Sequence, residues 1–155
     1  FMLLNDPSYV LKKQLLKIPF YGWMLKKGGM VAIDRDGGAS TLKQMVRDSR
    51  AVIETGRPLV IFPEGTRSHP GEKLPYHPGV AAIYKQADVP VVPVALNSGL
   101  FWGRRSFAKK PGTIIIEFLP PLAQGLDRKT FMAELENAIE GNTNRLLTEA
   151  AQTRS

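Results

Sequence analysis

Residues 58–68 read PLVIFPEGTRS, a short apolar run that ends abruptly in a polar turn. The run shows no polar alternation and is bounded by Gly-Arg-Pro before it and Pro-Glu-Gly after it, which predicts a central β-strand covered on both faces. In an open α/β sheet, ligands bind just beyond the carboxyl ends of the strands. The turn after this strand is therefore where the chemistry of the chain is expected.

The turn carries a carboxylate, a hydroxyl and a guanidinium within four residues, on Glu64, Thr66 and Arg67. Pro63 stops strand pairing, and Gly65 permits a backbone conformation or a close approach that a side chain would block. The three polar side chains are therefore expected to project from a stiff platform. They suit an anionic, hydroxylated substrate, because Arg67 can hold a phosphate group through two parallel hydrogen bonds.

The other predicted elements alternate along the chain as strand, helix, strand, helix and strand. Strands are predicted at 9–11, 30–33, 91–96 and 113–118, and helices at about 40–55, 80–87 and 127–148. Ser40 or Thr41 is expected to cap the first of these helices and Gly56 to end it, and Gly141-Asn142 is expected to bend or interrupt the last. The fold class is α/β, with a mostly parallel twisted sheet flanked by helices.

Three segments of the chain resemble consecutive blocks of the glycerophosphate and lysophosphatidate acyltransferase family. FPEGTRS at 62–68 resembles the third block, GMVAIDR at 29–35 resembles the second, and VPVVPVA at 89–95 resembles the fourth. They follow in the family's order and cover most of residues 8–120. The resemblance implies a glycerolipid-acyltransferase-like fold and acylation of 1-acylglycerol 3-phosphate.

The family's first block, a His followed five residues later by Asp or Glu, has no counterpart in the sequence. His69 and His77 both come after the third block, and neither is followed by an acid at that spacing. Either ring could act as a general base, but nothing at the family's spacing would orient it, so both also fit ordinary loop histidines. Residues 1–155 are therefore expected to form a single acyltransferase domain truncated at its N-terminus, with the catalytic block upstream of Phe1.

The resemblance assigns substrate binding to six residues: Lys12, Arg35, Glu64, Gly65, Thr66 and Arg67. It implies that the three cationic side chains hold the phosphate, while the carboxylate and the hydroxyl shape the turn or bond the glycerol. Backbone N–H groups around the glycine are plausible donors to an oxyanion. Lys12 also fits a solvated lysine at a strand end, and Arg35 also fits a surface ion pair with Asp34 or Asp36. No metal or redox cofactor is called for.

The implied reaction moves a fatty acyl group from acyl-CoA or acyl carrier protein to lysophosphatidate, giving phosphatidic acid for phospholipid biosynthesis. The implied location is the cytoplasmic face of the bacterial inner membrane. One alternative is a phosphate- or lipid-binding module without catalysis, and a weaker alternative is nucleic-acid binding. An assay of thiol release from acyl-CoA would separate the acyltransferase from the binding module.

Composition sets the class of partner but not its identity. The chain has 155 residues, a net charge of +7 and a pI of about 9.8, so its surface should attract polyanions such as anionic lipid, phosphorylated substrates or nucleic acid. The absence of Cys excludes disulfides and thiol nucleophiles. No apolar run reaches the roughly 18 residues that a spanning helix needs.

Two segments interleave aromatic and basic residues. Residues 14–27 fit either the headgroup level of an anionic bilayer or a helix pair that faces the core. Residues 97–112 contain FWGRR at 101–105 and KK at 109–110. An exposed Phe-Trp pair there would be a second membrane contact or a stacking site for single-stranded nucleic acid.

Overall fold

The computed structural model describes residues 4–34 and 38–152, so Arg35 and Asp36 lie outside the described residues. The chain divides into two compact units. The first comprises Phe1–Pro63 and Pro78–Ala87, and the second comprises Glu64–His77 and Asp88–Ser155. The boundary between the two units falls between Pro63 and Glu64, inside the turn PEGTR at 63–67, which we call the PEGTR turn. The expectation of a single domain over 1–155 stays a prediction.

The first unit contains a three-stranded sheet whose strands are all parallel. The strands are β1 (Ser8–Lys12), β2 (Val31–Ile33) and β3 (Leu59–Val60), in the order β2-β1-β3. In the register, Val10 lies opposite Val31 and Tyr9 lies opposite Val60. Helices α1 (Tyr21–Lys27) and α2 (Gly38–Glu54) provide the crossovers between the strands in sequence. The α/β class with a parallel sheet flanked by helices is confirmed.

The prediction that residues 58–62 form a central strand covered on both faces is wrong. Among the described strands β3 is an edge, and the central strand is β1. Leu59 and Val60 are only half-buried, and the Phe62 side chain is 57% exposed. A short apolar run reports that a strand is partly covered, but it does not report how many neighbours the strand has.

The core of the first unit lies between the sheet and helices α2 and α3 (Gly79–Ala87). Its buried members are Val31, Met45, Val46 and Ile83. Helix α2 begins at Gly38, so Ser40 and Thr41 lie inside its first turn and the predicted capping is wrong. The predicted stop is confirmed, because Gly56 has φ +80° and its N–H donates to the carbonyl of Ile53 at 2.9 Å.

The second unit pairs two antiparallel strands with one long helix. Strand β4 (Val94–Leu96) pairs with β5 (Ile116–Phe118), with Val94 opposite Phe118. Ala95, Leu119 and Leu146 form a buried cluster, and Phe131 and Leu135 are buried on the same helix, α4 (Arg128–Gln152). The strands predicted at 91–96 and 113–118 are therefore present, but shorter and antiparallel to each other.

Helix α4 runs without a break through Gly141, so the predicted interruption is wrong. The Asn142 side chain donates to the carbonyl of Ala138 at 2.8 Å, inside the helix. The Asp127 carboxylate caps the start by accepting from the N–H groups of Lys129 and Thr130. A glycine inside a helix costs only about 1 kcal/mol relative to Ala, which a long apolar face readily offsets.

Candidate functional site

The three strands of the first unit are parallel, so their carboxyl ends lie at one edge of the sheet. Strand β1 ends at Lys12, which is exposed, and β2 is followed by Asp34. The ammonium of Lys13 lies 3.8 Å from the carboxylate of Asp34. A shallow depression there is lined by Lys13, Ala32, Asp34, Ser40, Thr41 and Gln44. The sheet thus places Lys12 at the edge where the fold class predicts a ligand.

Arg35, the next residue after Asp34, lies outside the described residues. Its assignment to the phosphate, and its alternative pairing with Asp34 or Asp36, therefore stay predictions. Asp34 itself is in contact with Lys13.

The PEGTR turn in the second unit requires glycine at one position. Gly65 has φ +66°, a left-handed conformation that L side chains rarely adopt, so the predicted backbone role of this residue is confirmed. The side chains on either side of it differ in exposure. Thr66 and Arg67 are exposed, whereas Glu64 is half-buried and does not project with them as expected.

Glu64 faces inward, toward a group of polar side chains on the following loop and on α4. The Ser68 hydroxyl hydrogen-bonds its carboxylate, and Oε2 of Glu64 is buried with no hydrogen-bond partner among the described residues. Burial raises the pKa of Glu64, and the charges of Glu140 and Glu72 raise it further, while the Ser68 hydrogen bond acts in the opposite direction. This environment supports a role for Glu64 in shaping the turn.

Tyr76 ties the loop that follows the turn to α4. Its ring is buried, and its hydroxyl donates to Oε1 of Glu140 at 2.8 Å. Burial and this hydrogen bond both raise the pKa of Tyr76, so the phenol stays protonated and keeps its donor. Lys73 adds an ion pair to Glu136 at 2.6 Å. No local pattern in the sequence indicates the Tyr76 contact, because Tyr76 and Glu140 are 64 residues apart.

Replacing Glu64 with Gln should make stability depend less on pH. The pKa of Glu64 is raised above 4.5 in the folded protein, so just above that pH the folded protein binds more protons than the unfolded chain. Its contribution to stability is therefore lost as the pH rises through the raised pKa. The free energy of unfolding of Glu64→Gln minus that of the unsubstituted protein, measured in urea at a series of pH values, should increase as the pH rises above 4.5. Glu134→Gln, at an exposed site of α4, is the control that makes the same change of side chain.

Arg67 contacts the ring of Trp102. Its Cζ lies 5.9 Å from the centroid of the indole, and Nζ of Lys109 lies 4.8 Å from the same centroid. The indole N–H donates to the carbonyl of Ser106 at 2.8 Å. Two cations therefore share one aromatic ring, and one of them is the guanidinium that the sequence assigned to phosphate binding.

The predicted exposure of the Phe101-Trp102 pair is only half right. Trp102 is 50% exposed, but Phe101 is 6% exposed, so an exposed Phe-Trp pair is not present. A Cβ at Gly112 would overlap the Phe101 ring, which shows how closely the loop closes over this side chain. Phe101 follows a 3₁₀ turn, Ser98–Leu100, in helical backbone geometry, and composition alone does not reveal which side chain such a turn buries.

Neither loop histidine acquires an orienting partner for its ring in the contacts that the structure describes. The carboxylate of Glu72 accepts from the backbone N–H of His69 at 3.0 Å, not from the imidazole. Both His69 and His77 are exposed. The arrangement gives no support to either as a general base.

Residues 18–27 form an exposed aromatic segment in the first unit, which we call the aromatic–lysine segment. Its exposed apolar side chains are Ile18 at 46%, Phe20 at 87%, Tyr21 at 45%, Trp23 at 60% and Met24 at 61%. The alternative in which these side chains face the core is therefore wrong for this chain. Nζ of Lys27 lies 4.3 Å from the centroid of the Trp23 ring.

The backbone fixes how this segment presents its aromatic residues. Phe20 has φ +61°, and the N–H of Tyr21 donates to the carbonyl of Pro19 at 2.6 Å, which together define a tight γ-turn. A Cβ at Gly22 would overlap the carbonyl of Leu16, so glycine is required where α1 crosses the preceding 3₁₀ turn, Lys13–Lys17. Within residues 4–34 and 38–152, no helix is both long and apolar enough to cross a membrane.

The parallel sheet flanked by helices in the first unit places the chain in the α/β class, and the second unit carries a left-handed glycine turn with an exposed arginine, Arg67. A family model described as Acyltransferase matches residues 1–97. The chain therefore belongs to the acyltransferase family.

Several relatives share one name. The chain is 36% identical over 133 residues to a 1-acyl-sn-glycerol-3-phosphate acyltransferase of Pseudomonas aeruginosa, covering 86% of this chain and 52% of that protein. It is 32% identical over 114 residues to the enzyme of the same name from Limnanthes douglasii, covering 73% and 41% of the two chains. The chain thus spans about half the length of the curated relatives that it matches.

A solved structure has the same fold. The crystal structure of the 1-acyl-sn-glycerophosphate (LPA) acyltransferase PlsC from Thermotoga maritima matches with a TM-score of 0.64 at 25% identity. The match covers 94% of this chain and 57% of that chain. The predicted family and fold class are therefore confirmed together.

Proposed function

We propose that this chain is the acceptor-binding part of a 1-acylglycerol-3-phosphate acyltransferase. The enzyme moves a fatty acyl group from acyl-CoA or acyl carrier protein to the free hydroxyl of lysophosphatidate and releases phosphatidic acid and a thiol. The observation that carries the proposal is the exposed guanidinium of Arg67, presented on a turn that Gly65 fixes at φ +66°. The names of the relatives support the substrate class.

The reaction requires a base, an oxyanion site and a phosphate site. A His-x4-Asp/Glu block supplies the base in this family; residues 1–155 contain no such block. Its imidazole takes the hydroxyl proton as the glycerol oxygen attacks the thioester carbonyl, the C–S bond breaks, and the proton passes to the departing thiolate. Backbone N–H groups beside Gly65 are candidates to stabilise the oxyanion.

Arg67 is suited to the phosphate because its planar fork can donate two parallel hydrogen bonds to two phosphate oxygens. Phosphate binding fixes the position of the acceptor hydroxyl relative to the thioester. Glu64, held inward by Ser68, supports the turn on which Arg67 is presented. Lys12, Arg35 and Thr66 keep the binding roles implied by the family resemblance as predictions.

The proposal is tested by following thiol release from acyl-CoA with lysophosphatidate as acceptor. The assay should use this chain and a protein of the relatives' length that contains it, called the full-length protein below, with acyl carrier protein as a second donor. The full-length protein should release thiol only when acceptor is present, and mass spectrometry should identify phosphatidic acid. Lysophosphatidate binding without transfer in either form would favour the non-catalytic module instead.

We further propose that the aromatic–lysine segment contacts an anionic membrane surface, since both substrates carry fatty chains. Aromatic side chains suit the headgroup level, and Lys17, Lys26 and Lys27 supply charge complementary to anionic lipid. All three lysines are exposed. A location at the cytoplasmic face of the inner membrane follows only if such binding occurs, and it stays a prediction.

Reversing the charge of Lys26 and Lys27 together should weaken binding to anionic vesicles at least about tenfold, because each lysine near such a surface contributes about 1 kcal/mol. Binding should be measured by vesicle sedimentation at low salt, and high salt should release the protein. The matched control reverses Lys43 and Arg47 on the polar face of α2, which changes net charge equally. A lack of vesicle binding at low salt would refute the membrane contact, and a salt-sensitive shift with oligonucleotide alone would favour nucleic acid.

A further inference from the structure

The Trp102 ring is held in place from several sides within the second unit. Its indole N–H donates to the carbonyl of Ser106, and its backbone N–H donates to the carbonyl of Ser98 at 3.0 Å. The preceding residue, Phe101, is buried and anchors the loop. The ring therefore has a fixed position although half of it is exposed to solvent.

The loop that carries Trp102 and Lys109 is closed at its base. Asn97 is 1% exposed, and its Oδ1 accepts from the backbone N–H of Ile115 at 2.8 Å. Further along, the N–H of Lys110 donates to the carbonyl of Phe101 at 2.8 Å. These bonds join the two arms of the loop, so Lys109 is brought back beside Trp102 by the fold.

The ring brings together two cations that would otherwise repel each other. Each is attracted electrostatically to the quadrupole of the indole ring. A phosphate dianion placed against both cations would offset their repulsion. The two cations also differ usefully, because the guanidinium of Arg67 forms a planar fork and the ammonium of Lys109 acts as a compact charge.

We propose that Trp102 is a positioning residue that holds the Arg67 guanidinium in place, and that Lys109 is a second cation for the phosphate that Arg67 binds. The inference rests on the proposed function for the role of Arg67, but the arrangement of the three side chains does not. The ligand is a phosphate monoester. Its source is either the headgroup of the acceptor or the ribose phosphate of the CoA donor.

The arrangement is tested by NMR of the chain itself, through the Nε–Hε resonance of Arg67. A guanidinium over an indole should be shifted by the ring current, and the shift should persist in Trp102→Phe but collapse toward solvated arginine in Trp102→Leu. Titration with glycerol 3-phosphate should move the Arg67 resonance in the original protein more than in Lys109→Gln. An Arg67 resonance that is the same in all the Trp102 variants would overturn the positioning role.

The phosphate role is tested by steady-state kinetics in the full-length protein. Trp102→Leu and Lys109→Gln should each raise one KM about tenfold with little change in kcat, and Trp102→Phe and Lys109→Arg should recover most of the loss. A raised KM for lysophosphatidate assigns the phosphate to the acceptor, and a raised KM for acyl-CoA assigns it to the donor. Lys43→Gln is the control with the same charge change.

The two hypotheses fail in different ways. If the original protein transfers no acyl group to lysophosphatidate, the proposed function is wrong, while the NMR titration still decides the Trp102 arrangement. If the original protein is active and both variants leave both KM values unchanged, the positioning inference is wrong and the proposed function stands. Lower kcat at unchanged KM would also overturn the inference.

Discussion

Replacing Arg67 with Ala is expected to lower kcat/KM for lysophosphatidate at least about 100-fold. Two charge-assisted hydrogen bonds to phosphate would be lost, each contributing about 1.5–3 kcal/mol, and a factor of 100 requires only about 2.7 kcal/mol in total. Stability should change little, because Arg67 is exposed and surface substitutions fall within about 0.5 kcal/mol. Arg67→Lys keeps the charge but not the planar fork, so its kcat/KM should lie between those of Arg67→Ala and the original protein.

The control for Arg67 is Arg47→Ala on the exposed face of α2, which removes the same group. Its kcat/KM should match the original. Thiol-release kinetics and thermal melting should be measured on the same preparations. If Arg67→Ala lost melting temperature and activity in proportion, Arg67 would be a structural residue and the phosphate assignment would be wrong.

Replacing Phe131 with Ala should have the largest effect on folding, about 3–5 kcal/mol of the free energy of unfolding. Phe131 is 0% exposed in the second unit, on the side of α4 that also buries Leu135 and Leu146. Truncation would remove the apolar contacts and leave a cavity in a close-packed region. A loss of this size is a large fraction of the roughly 5–15 kcal/mol that stabilises a typical domain.

Phe107→Ala provides the matched control, since it makes the same truncation at a side chain that is 102% exposed. Its free energy of unfolding in urea should stay within about 0.5 kcal/mol of the original. Similar losses for the two variants would mean that α4 does not bury Phe131 as described.

Sequence reasoning succeeded where a local rule decides the conformation. Gly65 and Gly56 have positive φ, as their turn and stop positions required. The apolar periodicity of residues 40–55 correctly predicted helix α2, in which Met45 and Val46 are buried. The apolar runs on either side of it correctly predicted the strands β2 and β3. Together with the three sequence blocks, these features were sufficient to predict the family and the α/β class.

Sequence reasoning failed where distant contacts decide. The apolar run before Pro63 could not reveal that β3 is an edge of the described sheet, since that depends on which strands pair. The burial of Phe101 depends on the return of the loop at Gly112. The Glu64 carboxylate is partly buried and hydrogen-bonded by Ser68, so it does not project into solvent with Thr66 and Arg67.

Trp102 illustrates an intermediate case. Its aromatic and basic neighbourhood marked it as a surface residue of interest, but the pattern suggested a lipid or a nucleobase as its partner. The structure instead places Arg67 and Lys109 over its ring. Residues 67 and 102 lie far apart in sequence, and nothing in the local pattern of either indicates that they meet.

The most direct test of the phosphate-binding account compares two acceptors that differ by one group. Rates of acyl transfer by the full-length protein should be measured with lysophosphatidate and with the monoacylglycerol of the same chain length. A site built around Arg67 should use the phosphorylated acceptor at least about 100-fold more efficiently, since a missing phosphate removes the hydrogen bonds of Arg67 together with the attraction to Lys109. Equal kcat/KM for the two acceptors would contradict it.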